Sequence, residues 1–163
     1  MAKKGSESHS DALRTILKKV GVKITPIRLE LMDYLLVTAR PLSHADVQSA
    51  FPMLDRVTIY RTLASFVNCG IAHQVQGLDG VWHFCAHDPN VSGCPGNHPH
   101  FLCMSCGKMI CLLGQDMPRI EVSEGNVVNG KQFVAYGTCR ECAARIQQDQ
   151  QAQNDGGEQK VED

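Results

Sequence analysis

The sequence predicts an α+β chain: an N-terminal winged helix-turn-helix followed by a small domain built around a four-cysteine zinc site. Two observations carry this. Four helix signals and a β-hairpin signal follow one another over residues 10–84. Two CxxC knuckles then come 32 residues apart, Cys103-Met104-Ser105-Cys106 and Cys139-Arg140-Glu141-Cys142.

Ser10 is placed to cap a first helix carrying Leu13, Ile16, Leu17 and Val20, with Gly21 positioned to end it. Thr25-Pro26 is a cap followed by proline at the first helical position, and Ile27, Leu31, Tyr34 and Leu35 recur at helical spacing. Ser43-His44-Ala45-Asp46 reads as a capping box, with Val47, Ala50 and Phe51 as the inner face of a short third helix. Asp55 caps a fourth helix running to about Cys69, with Ile59, Leu63, Phe66 and Val67 as its apolar face. Strands over 71–76 and 81–84 flank the turn Gly77-Leu78-Asp79-Gly80. The fourth helix is the expected reader of DNA. Arg56 and Tyr60 share a face away from the apolar stripe, in the turns where a recognition helix meets base edges, with Thr58 and Arg61 as phosphate contacts.

Each CxxC turn aims two sulfurs at one point, so Cys103, Cys106, Cys139 and Cys142 suit one tetrahedral Zn²⁺. The chain opens Met1-Ala2-Lys3-Lys4 and runs into polar residues, without an apolar leader, which favours a cytoplasmic, reducing setting over disulfides. No membrane-spanning run is expected. Net charge is −1. It is uneven: residues 1–84 carry ten Lys/Arg against seven Asp/Glu, and residues 85–163 six against ten. The basic half is compatible with a polyanion partner. No HExxH motif occurs, a four-cysteine site leaves no open position for water, and neither CxxC sits in a βαβ context, so neither an enzyme nor a small-molecule substrate is expected.

Four segments, in order over about residues 10–145, resemble the ferric uptake regulator (Fur) superfamily, and most of all its zinc uptake regulator branch. They are Gly21-Val22-Lys23-Ile24-Thr25-Pro26-Ile27-Arg28, Asp55-Arg56-Val57-Thr58-Ile59-Tyr60-Arg61-Thr62-Leu63, the histidine-rich run from His98 to Lys108, and Tyr136-Gly137-Thr138-Cys139-Arg140-Glu141-Cys142. The resemblance implies a homodimeric metal-sensing repressor of operator DNA, with a C-terminal α/β dimerisation domain. Lys23 would approach a minor groove and Tyr60 would touch bases. It divides the chain into a DNA-binding domain over 1–84, a hinge and metal-binding loop over 85–100, a dimerisation domain over 101–146 and a disordered tail over 147–163.

By the same resemblance the regulatory ligands are His73, Cys85, His98 and His100, giving one structural and one regulatory Zn²⁺ per chain. Cys85 is the discriminating residue, because a soft thiolate suits zinc better than Fe²⁺ or Mn²⁺. His98 and His100 alternate across Pro99, so a strand would place them on one face. His83 and Cys111 stand as alternates; His44, His87 and Cys94 are weaker candidates, and Cys69 reads as a packing residue. An iron- or peroxide-responsive regulator using His83, His98 and His100 is the alternative reading. The further metal site of many members is expected to be absent, since Asn97 and Pro99 fill its first places and residues 126–136 contain no histidine. A helix expected between strands over 112–130 is interrupted by Gly114, Pro118, Gly125 and Gly130, and 116–122 reads instead as a turn and a strand.

Overall fold

A computed structural model describes residues 4–86, 96 and 98–155. The α+β class holds, with helices first and two small sheets after them. Helix α1 (Lys4–Lys19) begins well before Ser10. The early turns gain a tertiary anchor that spacing does not reveal: His9 Nε2 lies 2.6 Å from Asp33 Oδ1 on α2 (Pro26–Thr38). The end of α1 is a Schellman motif. The Val22 N–H donates to the Leu17 carbonyl and the Gly21 N–H to that of Lys18, with Gly21 at φ 73°. The same motif closes α4 (Arg56–Asn68) through Gly70, at φ 72°.

Ser10 lies inside α1 and does not cap it, but the other three expected caps are present. Thr25 accepts from the Arg28 N–H at the start of α2. Ser43 and Asp46 form a reciprocal capping box on α3 (His44–Ala50). Asp55 Oδ1 accepts from the Thr58 N–H on α4 at 2.9 Å, and the Thr58 hydroxyl together with that N–H holds its carboxyl below the usual range. These helices meet in one apolar core of Leu13, Leu17, Leu31, Leu35, Leu63 and Phe66 with their neighbours.

Against this core lies a sheet ordered β1 (Leu42–Ser43), β3 (Trp82–Ala86), β2 (Ala72–Gln76). Phe84 turns into the helical core, while Cys85 and His83, on the opposite side of the pleat, face away from it. Strand β3 runs to Ala86, so Cys85 is a strand residue paired with His73, not part of a hinge loop after the sheet. The turn between β2 and β3 closes through the Gly77 N–H on the Val81 carbonyl and the Val81 N–H on Asp79 Oδ1.

A second sheet is ordered β5 (Met109–Cys111), β4 (His100–Cys103), β6 (Val134–Gly137), with β4 antiparallel to β5 and parallel to β6. The two sheets meet in a small apolar cluster of Val75, Leu102 and Met109 with Val134. Residues 112–133 contain neither helix nor strand, so the strand expected within 116–122 does not form. That stretch is almost entirely exposed, and Pro118 lacks the N–H a ladder would need. The last helix, α5 (Arg140–Asp155), continues through the first nine residues of the expected disordered tail. No described helix is long and apolar enough to cross a membrane.

Candidate metal centres and nucleic-acid face

Two clusters of metal-ligating side chains occur among the described residues. In the first, the Sγ atoms of Cys103, Cys106, Cys139 and Cys142 all lie within 4.8 Å of one another. Cys103 ends β4 and Cys142 lies in the first turn of α5, so the cluster ties the sheet to the helix. Backbone bonds shape the two turns: the Gly107 N–H donates to the Cys103 carbonyl and the Met104 N–H to that of Gly137. Cys106 Sγ and Cys139 Sγ are 3.9 Å apart. A tetrahedral zinc with Zn–S bonds of about 2.3 Å has sulfur–sulfur edges of about 3.8 Å, so the cluster fits the ion.

The electrostatics of the four thiols are uneven. The Cys139 N–H donates to Cys103 Sγ at 3.3 Å and, with further backbone donors, brings the Cys103 thiol down to about 6. Cys106 moves the other way. The Lys108 N–H favours its thiolate, but loss of solvation and the neighbouring cysteines outweigh that and push it up to about 11. Four thiolates cannot share so small a volume without a cation, and a divalent ion supplies one. Arg145 Nη2 donates to Cys142 Sγ at 3.0 Å, and this bond with the thiolate charge raises the guanidinium pKa. Its position one turn after Cys142 on α5 is the signal that sequence reasoning passed over.

The second cluster joins the two sheets. Ring nitrogens of His73 on β2, His98 just before β4 and His100 on β4, with Cys111 Sγ on β5, lie within 4.8 Å of one another. His73 Nε2 and His100 Nε2 are 3.2 Å apart, close to the edge of about 3.3 Å expected between two nitrogens on one zinc. His98 and His100 are buried. The register explains the convergence: His100 pairs with Cys111 across the β4–β5 ladder. Each of the three rings can present one nitrogen lone pair to a shared cation. Three nitrogens and a sulfur without a carboxylate form a borderline-soft donor set that fits zinc.

The expected ligands divide accordingly. His73, His98 and His100 come together. Cys111 joins them, and Cys85 lies outside the set, with its Sγ 3.8 Å from that of Cys111. His83 is buried elsewhere on β3 and donates from Nδ1 to the Val81 carbonyl at 3.2 Å. His44 lies far along the chain from both clusters, with its Nε2 3.1 Å from the Arg56 carbonyl. Cys69 packs against the helical core. His87 and Cys94 lie outside the described residues. Two supporting residues escaped the sequence reading. Gly96, at φ 75°, sits against the His73 side chain so closely that a Cβ would come within 3.1 Å of it. Gln132 bonds to both the N–H and the carbonyl of Gln76 on the edge of β2.

Of the expected DNA-contacting residues, Lys23, Arg56, Tyr60 and Arg61 are exposed and Thr58 is partly buried. Arg56, Tyr60 and Arg61 project from α4, and Tyr60 is 62% exposed although aromatic. Lys23, Thr58 and Arg61 border one shallow groove with Arg28, whose Nη1 donates to the Lys23 carbonyl at 2.9 Å. The loop before α2 is thereby fixed beside α4, which places two segments 35 residues apart on one basic surface.

Known proteins share this sequence pattern and fold. The peroxide-responsive repressor PerR of Staphylococcus epidermidis is 30% identical over 135 residues, covering 77% of this chain and 85% of that protein. The peroxide operon regulator of Bacillus subtilis is 27% identical over 143 residues, covering 83% and 93%. A solved zinc uptake regulator complexed with zinc and DNA superposes with a TM-score of 0.59 at 18% identity, covering 89% of this chain and 99% of that one. The ferric uptake regulator of Vibrio cholerae does so at 0.53 and 19%, covering 76% and 96%. The sequence profile of the ferric uptake regulator family matches residues 19–134, most of the chain. The protein therefore belongs to the ferric uptake regulator family of metal-responsive transcription regulators and is not an enzyme.

Proposed function

We propose that the chain is a zinc-responsive repressor that binds near-palindromic operator DNA as a homodimer, through a winged helix-turn-helix over residues 1–84. One observation carries the choice of metal: among the described residues the cluster joining the two sheets offers three imidazoles and the Cys111 thiol, and no carboxylate. A zinc uptake regulator among the superposable structures is consistent with that choice, and the sequence relatives named for peroxide response bear on the runner-up, an iron- or peroxide-responsive regulator.

In this reading Cys103, Cys106, Cys139 and Cys142 hold a structural ion, and His73, His98, His100 and Cys111 a regulatory one. The regulatory ion would supply a positive charge and fixed bond directions between the N-terminal sheet and the C-terminal one. The chain's residues do the rest. His73 belongs to the hairpin that follows the DNA-reading helix, whereas His98, His100 and Cys111 belong to the C-terminal sheet. Gathering them fixes the angle between the two units and hence the spacing of two α4 helices in a dimer. Tyr60 and Arg56 meet base edges, and Lys23, Thr58 and Arg61 meet phosphates.

The test starts from protein stripped to one zinc per chain and a duplex selected from a random pool by the zinc-loaded protein. Added zinc should tighten binding to that duplex by about 5- to 150-fold, the range of a coupling of about 1–3 kcal/mol. Tightening by Fe²⁺ but not zinc, abolished irreversibly by peroxide, would replace this reading with the peroxide sensor.

A further inference from the structure

Four thiolates around one divalent cation leave negative charge uncompensated, and hydrogen-bond donors around the sulfurs must offset it. A backbone group does so at one corner of the four-cysteine cluster, where the Cys139 N–H reaches Cys103 Sγ at 3.3 Å. Arg145 does so at another and brings a full positive charge: its Nη2 donates to Cys142 Sγ at 3.0 Å. The two residues stand three positions apart on α5, a spacing that puts them on one helix face, so the donor is carried by the same helix as the ligand. Lys108 also lies beside the first knuckle, but its Nζ is 3.5 Å from Glu141 Oε2, which takes up its charge. The four sulfurs differ in access as well, since Cys142 is buried and Cys106 is exposed. A thiolate that accepts a charged hydrogen bond keeps its orientation and has less lone-pair density to offer an electrophile.

We propose that Arg145 is the positioning residue of the four-cysteine cluster: its charged hydrogen bond fixes Cys142 Sγ as a ligand and protects that sulfur from electrophiles. This rests on the reading of the cluster as a zinc site. The bond reaches one sulfur, so its loss should be felt at Cys142 before the other three. Alkylation shows the consequence. With iodoacetamide the sulfur supplies an electron pair, the S–C bond forms and iodide leaves; the product is a neutral thioether, a far weaker zinc ligand than the thiolate it replaces. With Arg145 in place such attack should begin at the exposed Cys106. Without it, Cys142 becomes a second weak corner, and the ion is lost sooner. Arg145 would thus help keep the four-cysteine ion in place while the ion between the sheets exchanges.

The experiment treats the full-length zinc-loaded protein with iodoacetamide. Peptide mass spectrometry follows alkylation at each cysteine, and a chromogenic chelator follows zinc release. Arg145→Met keeps an unbranched apolar stem over Cys142 but removes the donor and the charge; Arg145→Lys keeps a charge and a donor. Arg145→Met should take up as much zinc as the wild type, with the same helix content by circular dichroism. Its Cys142 should be alkylated about tenfold faster, the lower end of what loss of such an outer partner costs, while Cys106 changes little. Zinc release should quicken with Cys142, and Arg145→Lys should recover most of the protection. An Arg145→Met protein whose Cys142 reacts as slowly as the wild type's would overturn the proposal. So would equal acceleration at all four cysteines, the mark of a loosened helix, or an Arg145→Lys protein no better protected than Arg145→Met. Wild-type protein whose four cysteines react as fast with zinc as without it would instead overturn the zinc reading of the cluster itself.

Discussion

The two cysteine-bearing clusters differ in how far apart in the chain their members lie. The four-cysteine cluster is made of two local turns, each supplying two sulfurs three residues apart, and every member belongs to the C-terminal unit. The histidine cluster draws on β2, the approach to β4, β4 itself and β5, so it exists only when the two sheets are together. A site built from local turns keeps its ligands close however the rest of the chain moves. A site shared between two units senses their arrangement, and by linkage a ligand there can set that arrangement. Within one chain the same element chemistry is thus suited to hold a fold in one place and to report a state in another.

The sharpest way to break this comparison is to remove a sulfur from the local cluster. Little else binds the C-terminal unit: residues 112–133 form no helix or strand, and its apolar core is limited to Leu102 and Met109 with Val134 and the contact to Val75. Ion binding at such a site supplies on the order of 10 kcal/mol of folding energy. Cys139→Ser should therefore lose one zinc per chain, the cooperative thermal unfolding of the C-terminal unit, and the dimer. Calorimetry and light scattering check this, and a dimer that melts as the wild type does would show that the cluster is dispensable.

Removing the sulfur from the shared cluster should do much less to the fold. Cys111→Ser should retain the structural ion and its melting transition, yet lose the second ion and the zinc-dependent 5- to 150-fold gain in duplex affinity. Acid should act in the same direction on the wild type. The imidazoles bind metal only when neutral and Cys111 only as thiolate, so protons compete with the ion. Affinity for the second zinc is thus full above the titration range of its ligands and weakens as pH falls, by about tenfold per unit for each proton that must leave. Isothermal titration at pH 8, 7 and 6 measures the slope. An affinity flat across that range would mean that the ion is held by other groups.

The same contrast decides what the sequence could reveal. The caps at Thr25, Ser43 and Asp55 and the two CxxC turns depend on neighbours a few residues away, and all of them stand where local spacing puts them. Cys85 pairs with His73 across β2 and β3, and Cys111 pairs with His100 across β4 and β5, so both thiols stand beside a histidine of the cluster and their distances to it depend on how the two sheets meet. Local pattern cannot carry that information. The early start of α1 has the same cause, because the His9–Asp33 contact spans 24 residues. The length of α5 is a different matter. Gln, Asp and Ala after Cys142 tolerate a helix well enough for its first turn, once anchored by the cluster, to propagate to Asp155.

Gln132 offers the finest test of the distinction. Its side-chain amide mimics a strand partner, with Oε1 accepting from the Gln76 N–H at 3.2 Å and Nε2 donating to the Gln76 carbonyl at 3.1 Å. It leads into β6 next to Phe133, whose carbonyl accepts from the His100 N–H. This pair of bonds joins the two sheets with no metal involved, and so prepays part of the ordering that zinc would otherwise have to impose. Both groups are solvent-accessible, so the pair contributes on the order of 1 kcal/mol. Gln132→Ala should weaken the second zinc by about fivefold while leaving the four-cysteine ion and the basal melting transition of the C-terminal unit unchanged. Competition with a chelator of known affinity resolves a change of that size. An equal loss at both ions would place Gln132 in the stability of the C-terminal unit, and an unchanged second ion would mean that the sheets are already held together by the Val75, Leu102 and Met109 contact alone.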